Sequence, residues 1–415
     1  MMIHRYRKYF SVLSVLIIVL MVGIALGACK SKKKSSQDTP DSNFLAAPSS
    51  AALKNPQRSP SFRAAPTFTI QGVQAGDTIQ LFKDATCAAE AELGSGVVDL
   101  GQTSLDITID TLPAVGTYAI YAQRTNAQGL TSACSRRLYL YQLIGCPDDS
   151  YVPVEGNEEL GVDPFCVMKT EAKKINNIAT AQYAGSPWVN LQADTAKAAC
   201  QNINIAGATC DLISNPQWMA IARDIEATAA NWSGGEVGSG TLTRGHSDAS
   251  PSNALSISDP DYPWDQTNNP LEEWDQRRTF VLSNGEVLWD FAGNVSEWVD
   301  WTTGGDTFAI GPYACEVGWQ ELFSIDCEGL LPNDYLPGNP ANIPVGEYTG
   351  AAYGLGKIYG TDPEKHTEDI AGAARRGGLW NYHEKSGIYD LYLNSAYTYK
   401  SSSIGFRCVC PVTGD

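Results

Sequence analysis

Between Thr67 and Tyr141 hydrophobic and polar residues alternate in short runs. Examples are Thr67-Phe68-Thr69-Ile70, Thr78-Ile79-Gln80-Leu81-Phe82, Leu105-Asp106-Ile107-Thr108-Ile109, Tyr118-Ala119-Ile120-Tyr121-Ala122 and Arg137-Leu138-Tyr139-Leu140-Tyr141. Gly76-Asp77, Pro113, Gly116 and Gly129 punctuate them. A period of two marks strands with one buried face, so residues 67–145 are predicted to form an antiparallel all-β sandwich. From Cys146 the pattern changes. Phe165–Glu171 reads as a strand. Asp194–Asn202 has helix composition, with Ala196, Ala199 and Cys200 on one face. Asn215–Thr228 reads as a second helix, with Asn215 as N-cap, Pro216 at its first position and an apolar stripe of Trp218, Met219, Ile221, Ala222 and Ile225. After Thr228 the chain is rich in Gly, Asn, Asp, Pro and Trp without a steady period. Two helices before a large irregular body need disulfides or bound ions to help order them.

The N-terminal pattern is of another kind. His4, Arg5, Arg7 and Lys8 precede an apolar run, Phe10–Leu26, which ends in Leu26-Gly27-Ala28-Cys29. A basic start, an apolar stretch too short for a comfortable span and small residues before a cut make a secretory signal. The Leu-x-x-Cys ending resembles a bacterial lipoprotein signal. That resemblance implies a signal peptide over 1–28, lipidation of Cys29 and a membrane partner through the lipid. Lys30 after the cysteine implies sorting to the outer membrane. Residues 29–66, rich in Ser, Pro, Ala and Lys, are predicted to be a flexible tether.

Ten cysteines remain beyond Cys29: Cys87, Cys134, Cys146, Cys166, Cys200, Cys210, Cys315, Cys327, Cys408 and Cys410. An even number in an exported chain favours five disulfides over thiolate metal sites. Residues 1–66 hold ten Lys/Arg and two Asp, so of the formal charge of −17 the remainder carries −25. Such an acidic body excludes nucleic acid as a partner and permits calcium or a basic surface.

Two resemblances place these regions in families. Residues 67–145, with "TNAQGLTSACS" near their end, resemble a bacterial immunoglobulin-like domain, which implies a Cys87–Cys134 pair. Over about 160–410 the ordered motifs "FCVMKTEAKK", "NWSGG", "LTRGHSD", "LWDFAGNVSEWVDW", "ARRGGLWN" and "SSSIGFRCV" resemble the formylglycine-generating-enzyme, or sulfatase-modifying-factor, type of C-type lectin-like fold. The implied architecture is an α+β C-type lectin-like domain over 146–415. In such folds the first helix lies beside the terminal strand, so Cys200 is expected to pair with Cys408 or Cys410.

The family's enzymes hold copper(I) with two cysteines shortly after the Arg-Gly-Gly motif, a soft site suited to that ion. Aligned on Arg376-Gly377-Gly378, those positions are Tyr382 and Gly387, so no copper is expected. His246, His366 and His383 do not make the multi-His iron site of the related sulfoxide synthases. No Gly-x-Ser-x-Gly stretch or phosphate-cradling loop is present. A binder is therefore favoured over an enzyme of unrecognised chemistry or a structural envelope lipoprotein. In the family, the turn matching Asp290–Trp298 holds calcium. Carried over, the ligands are Asp290, the carbonyls of Gly293 and Val295, and Glu297, an oxygen set that suits the ion.

Residues 380–403 contain five of the chain's 19 Tyr in 24 positions. The candidate ligand-binding residues are Trp380, Asn381, Tyr382, His383, Glu384, Ser386, Tyr389, Asp390, Tyr392, Asn394, Ser395, Tyr397 and Tyr399. Tyr gives rigid amphipathic contact, and Ser and Asn give adaptable hydrogen bonds, a mixture favoured in paratopes. The stretch also resembles the variable region of proteins diversified by retroelements, whose adenine-directed mutation yields Asn, Tyr, Asp, His and Ser. The expected partner is a protein or glycan. Leu391 and Leu393, with Tyr389, alternate as the inward face of a strand would.

Overall fold

The computed structural model describes residues 45–205, 208–301, 318–324, 330–360 and 372–414. The expected signal peptide over 1–28, Cys29, Cys315 and Cys327 lie outside the described residues. Residues 45–415 form one unit.

The alternating region gives six strands, and one more precedes it: β1 (Ser50–Asn55), then β2 (Thr67–Gln71), β3 (Thr78–Phe82), β4 (Glu92–Val97), β5 (Ser104–Thr108), β6 (Gly116–Thr125) and β7 (Tyr139–Leu143). They make two antiparallel sheets, ordered β1-β2-β5 and β4-β3-β6-β7. The inward residues of the alternation, Phe68, Ile70, Ile79, Leu81, Ile107, Ile120 and Tyr141, are buried in one shared core. Cys87 is bonded to Cys134. One boundary differs from the expectation. β1 lies inside the stretch expected to be a tether, where Ala51 and Leu53 pack against the sandwich core and the backbone pairs with β2. Small side chains hid a strand that backbone pairing supplies.

The second region begins with the hairpin β8 (Tyr151–Val154) and β9 (Phe165–Met168). A hairpin follows, β10 (Lys173–Ile175) with β11 (Ile178–Thr180). Then come α1 (Ala193–Gln201), the pair β12 (Asn204–Ile205) and β13 (Ala208–Thr209), β14 (Asp211–Leu212) and α2 (Asn215–Ala227). Both helices fall where the period predicted them. The cap of α2 is Ser214, however, in a reciprocal capping box with Gln217. Asn215 is instead buried, and its amide oxygen accepts from Arg376 at 2.6 Å.

The remaining elements are short: β15 (Thr279–Val281), β16 (Val287–Trp289), β17 (Ser296–Trp298), β18 (Trp319–Gln320), α3 (Pro332–Tyr335), α4 (Gly350–Tyr353), β19 (Ile358–Tyr359), β20 (Gly372–Arg376), β21 (Leu391–Ala396), β22 (Ile404–Phe406) and β23 (Cys408–Cys410). Two sheets organise them, one ordered β14-β23-β9-β8 and a six-stranded mixed one ordered β18-β19-β21-β20-β17-β22. α2 packs its stripe into the larger core, with Trp218 stacked on Phe291 at 4.0 Å. Cys200–Cys408 and Cys210–Cys410 fasten α1 and the segment after it to β23, and Cys146–Cys166 fastens the start of the region to β9.

Candidate binding site

The site is built from the β20–β21 pair. Antiparallel register sets Arg375 opposite Tyr392 and Arg376 opposite Leu391. β21 keeps the predicted alternation: Leu391, Leu393 and Ser395 point inward, and Tyr392 and Asn394 outward. Gly377 and Gly378 end β20 with φ of 85° and 77°, a region that side chains rarely enter. A Cβ on Gly378 would also lie 2.4 Å from Ser386 Oγ. Gly387 then passes so close to Leu355 that a Cβ would sit 2.2 Å from its carbonyl carbon. As folded, position 387 accepts no side chain, whether thiol or any other.

Seven of the thirteen candidate residues meet in a hollow of about 460 Å³: Trp380, Asn381, Tyr382, Tyr392, Asn394, Ser395 and Tyr399. Arg375 lies in its wall. Its guanidinium carbon sits 4.0 Å from the centre of the Tyr392 ring, a cation–π contact. Tyr392 stacks on Tyr359 at 4.5 Å, and Trp319 meets Tyr359, Tyr382 and Tyr392 edge-on at 5.3, 5.0 and 5.8 Å. These contacts fix the rings before any ligand arrives, which lowers the ordering cost of binding. Burial pushes the Tyr382 phenol up to about 12 and raises Tyr392 as well, so both remain hydrogen-bond donors at neutral pH.

The other candidates stand elsewhere. Tyr389 is fully buried, and its hydroxyl donates to Glu226 at 2.7 Å. Glu226 also accepts from Tyr348 and from the Gly338 and Asn339 amides, so Tyr389 belongs to a packed polar node. Ser386 is buried and donates to the Leu379 carbonyl. Asp390 is fully buried, and burial holds its carboxyl well above the usual range against the pull of Arg375 and Arg376. Ser386 and Asp390 correct the expectation of a surface role, whereas Tyr389 follows the inward alternation expected beside Leu391 and Leu393. Ser and Asp suit a surface by type, but the tight Gly377–Gly387 return turns them inward. His383 and Glu384 are exposed, and Glu384 pairs with Lys357 at 3.4 Å. Tyr397 packs against the second core cluster, beside α1, and does not line the hollow. Arg375, Trp319 and Tyr359 were not among the candidates. Arg375 read as framework, and the two rings sit on two-residue strands that leave no periodic signal.

The expected calcium ligands are in a different kind of place. Asp290, Glu297, Glu171, Lys173, Arg278 and Arg407 form a buried cluster of three acids and three bases. Both Asp290 oxygens accept from Arg278, at 2.8 and 2.7 Å. Both Glu297 oxygens accept from Arg407, the closest contact being 2.6 Å. Lys173 Nζ stands 3.8 Å from Glu171, whose carboxyl is raised chiefly by burial and held by Asn294 and the Val295 amide. Each of the two carboxylates expected as calcium ligands is thus engaged by a guanidinium, Asp290 by Arg278 and Glu297 by Arg407. Among the described residues no three His, Cys, Asp or Glu side chains gather to hold a metal.

No family model matches the chain, and no curated protein matches it. Among solved structures it is similar to Treponema denticola variable protein 1, at 14% identity over 60% of this chain and 85% of that chain, with a TM-score of 0.29. It is also similar to the I1 and U1 variants of Major Tropism Determinant, at 13% and 14% identity, each over 88% of this chain and 84% of that chain, with TM-scores of 0.27 and 0.26.

Proposed function

We propose that this chain is an exported binding protein, lipid-anchored at Cys29 to the outer membrane, whose C-terminal C-type lectin-like domain of formylglycine-generating-enzyme type recognises a ligand and performs no chemistry. The immunoglobulin-like sandwich raises that domain from the membrane. One observation carries the reading: residues 380–399, chosen by composition, supply most of the wall of one preorganised aromatic hollow. The residue mixture suits recognition, and position 387, where the family keeps a copper cysteine, has no room for a side chain.

The test uses arrays of purified glycans and extracellular proteins probed with the full chain. Binding is expected for the wild type and is lost in Tyr382→Ala and Tyr392→Ala. Tyr397→Ala, outside the hollow, retains it. Binding that survives the first two changes counts against this surface.

The residues also support diversification of the segment by a retroelement, now limited to outward positions such as Asn381, Tyr382, His383, Tyr392 and Asn394. In the gene, a near-copy of the 3′ segment beside a reverse transcriptase is expected, with adenine differences that spare Tyr389. Its absence sinks that part of the proposal.

A further inference from the structure

One buried cation in the wall of the hollow is left incomplete by the described residues. Arg375 is 5% exposed, and its Nε has no hydrogen-bond partner among the described residues. Arg375 lines the hollow and leans on the outward Tyr392 ring. A buried donor without a partner is costly, so a ligand group that accepts from it is favoured. A guanidinium only donates, and its planar fork matches a carboxylate. Asp390 does not serve as that carboxylate. It is fully buried, lies under the influence of Arg375 and Arg376 together, and is biased by burial towards its neutral form.

We propose that the hollow receives a carboxylate carried on a sugar ring, with Arg375 as its counter-ion. The proposal rests on the reading of this surface as a binding site and names the ligand's chemistry there. Trp380, Tyr382 and Tyr399 offer flat apolar faces for the ring, and Asn381 offers an amide to its hydroxyls. A space of about 460 Å³ suits a small ligand, whereas a stable protein partner needs an interface above about 1,000 Å². Residues 67–415 carry −25, which repels an extended acidic partner far more than one carboxylate on a neutral ring.

The experiment titrates the full chain with sialyl, glucuronyl and galacturonyl oligosaccharides, each beside its carboxyl-reduced form, and reads tryptophan fluorescence or heat. At least one acidic form is expected to bind, with its reduced form weaker by about tenfold or more. Arg375→Gln abolishes that preference. Arg375→Lys, which keeps the charge, retains part of the preference. Melting curves confirm that each variant folds. If Arg375→Gln does not fold, the acid-against-reduced comparison in the unaltered protein decides alone. Equal binding of acidic and reduced forms overturns the proposal. So does no binding of any panel member at millimolar concentration, or tighter binding of an oligoglutamate peptide. Array binding lost in Tyr382→Ala would then still uphold the recognition reading, so the two failures are distinguishable.

Discussion

Two buried regions handle positive charge in opposite ways. In the cluster beneath the Asp290–Glu297 turn, Arg278 and Arg407 are completed by the chain: each grips both oxygens of a carboxylate and further carbonyls. In the hollow, Arg375 is almost as buried, yet it leans on a Tyr ring and leaves Nε unspent. Its chain neighbour Arg376 sharpens the contrast. Arg376 faces the other way and is saturated by Asn215, the Tyr389 and Asp390 carbonyls and the Asp334 carbonyl. A guanidinium that the fold has finished is scaffold, and one left unfinished at a hollow is available to a ligand.

The comparison can be broken by substitution. The largest effect is expected from Arg407→Ala. It strands the buried Glu297 carboxylate, at a cost of about 3–5 kcal/mol, read by chemical denaturation. A variant that unfolds like the wild type would show that the cluster is not the scaffold described. Gly387→Ala comes next. It drives a methyl into the Leu355 backbone and is expected to cost about 1–3 kcal/mol by the same measurement. Arg375→Gln is expected to change stability least of the three, since it removes no carboxylate pairing, while abolishing preference for an acidic ligand. A loss of stability as large as that of Arg407→Ala would erase the distinction between the regions.

The smallest effect concerns pH. The folded-state pKa of Asp390 is raised above its unfolded value of 3.8. Its contribution to stability is therefore fully present below pH 3.8 and is lost as pH rises through the folded-state value. Asp390→Asn keeps the neutral shape and removes this dependence. The variant should melt above the wild type at pH 8, and the difference should shrink towards pH 4. A constant difference across that range would show that Asp390 is ionised in the fold.

Much of this architecture was legible where one residue period runs long enough to count. The sandwich strands, α1, α2 and the inward Leu391 and Leu393 all follow from spacing. Other features have no local signature. Arg407 lies 110 residues from Glu297, so the turn at 290–298 looked like an ion site whose charge partner could not be seen. Ser395 and Asp390 are polar by type and inward by strand phase and turn geometry, which composition alone cannot separate. Trp319 and Tyr359 reach the hollow from strands of two residues each. The hollow was half visible for the same reason: its outward Tyr and Asn residues announce themselves by composition, whereas Arg375 is defined by what it lacks.

The last strand has a consequence for the order of folding. β23 pairs with both β14 and β9, and its two cysteines hold α1 and the segment that follows it. Arg407 just before it neutralises Glu297. During synthesis α1, β9 and β14 must therefore wait for residues 407–410 before their sheet closes and the buried acid finds its base. Helices and hairpins can form on the way, but the joining of these distant segments comes after them.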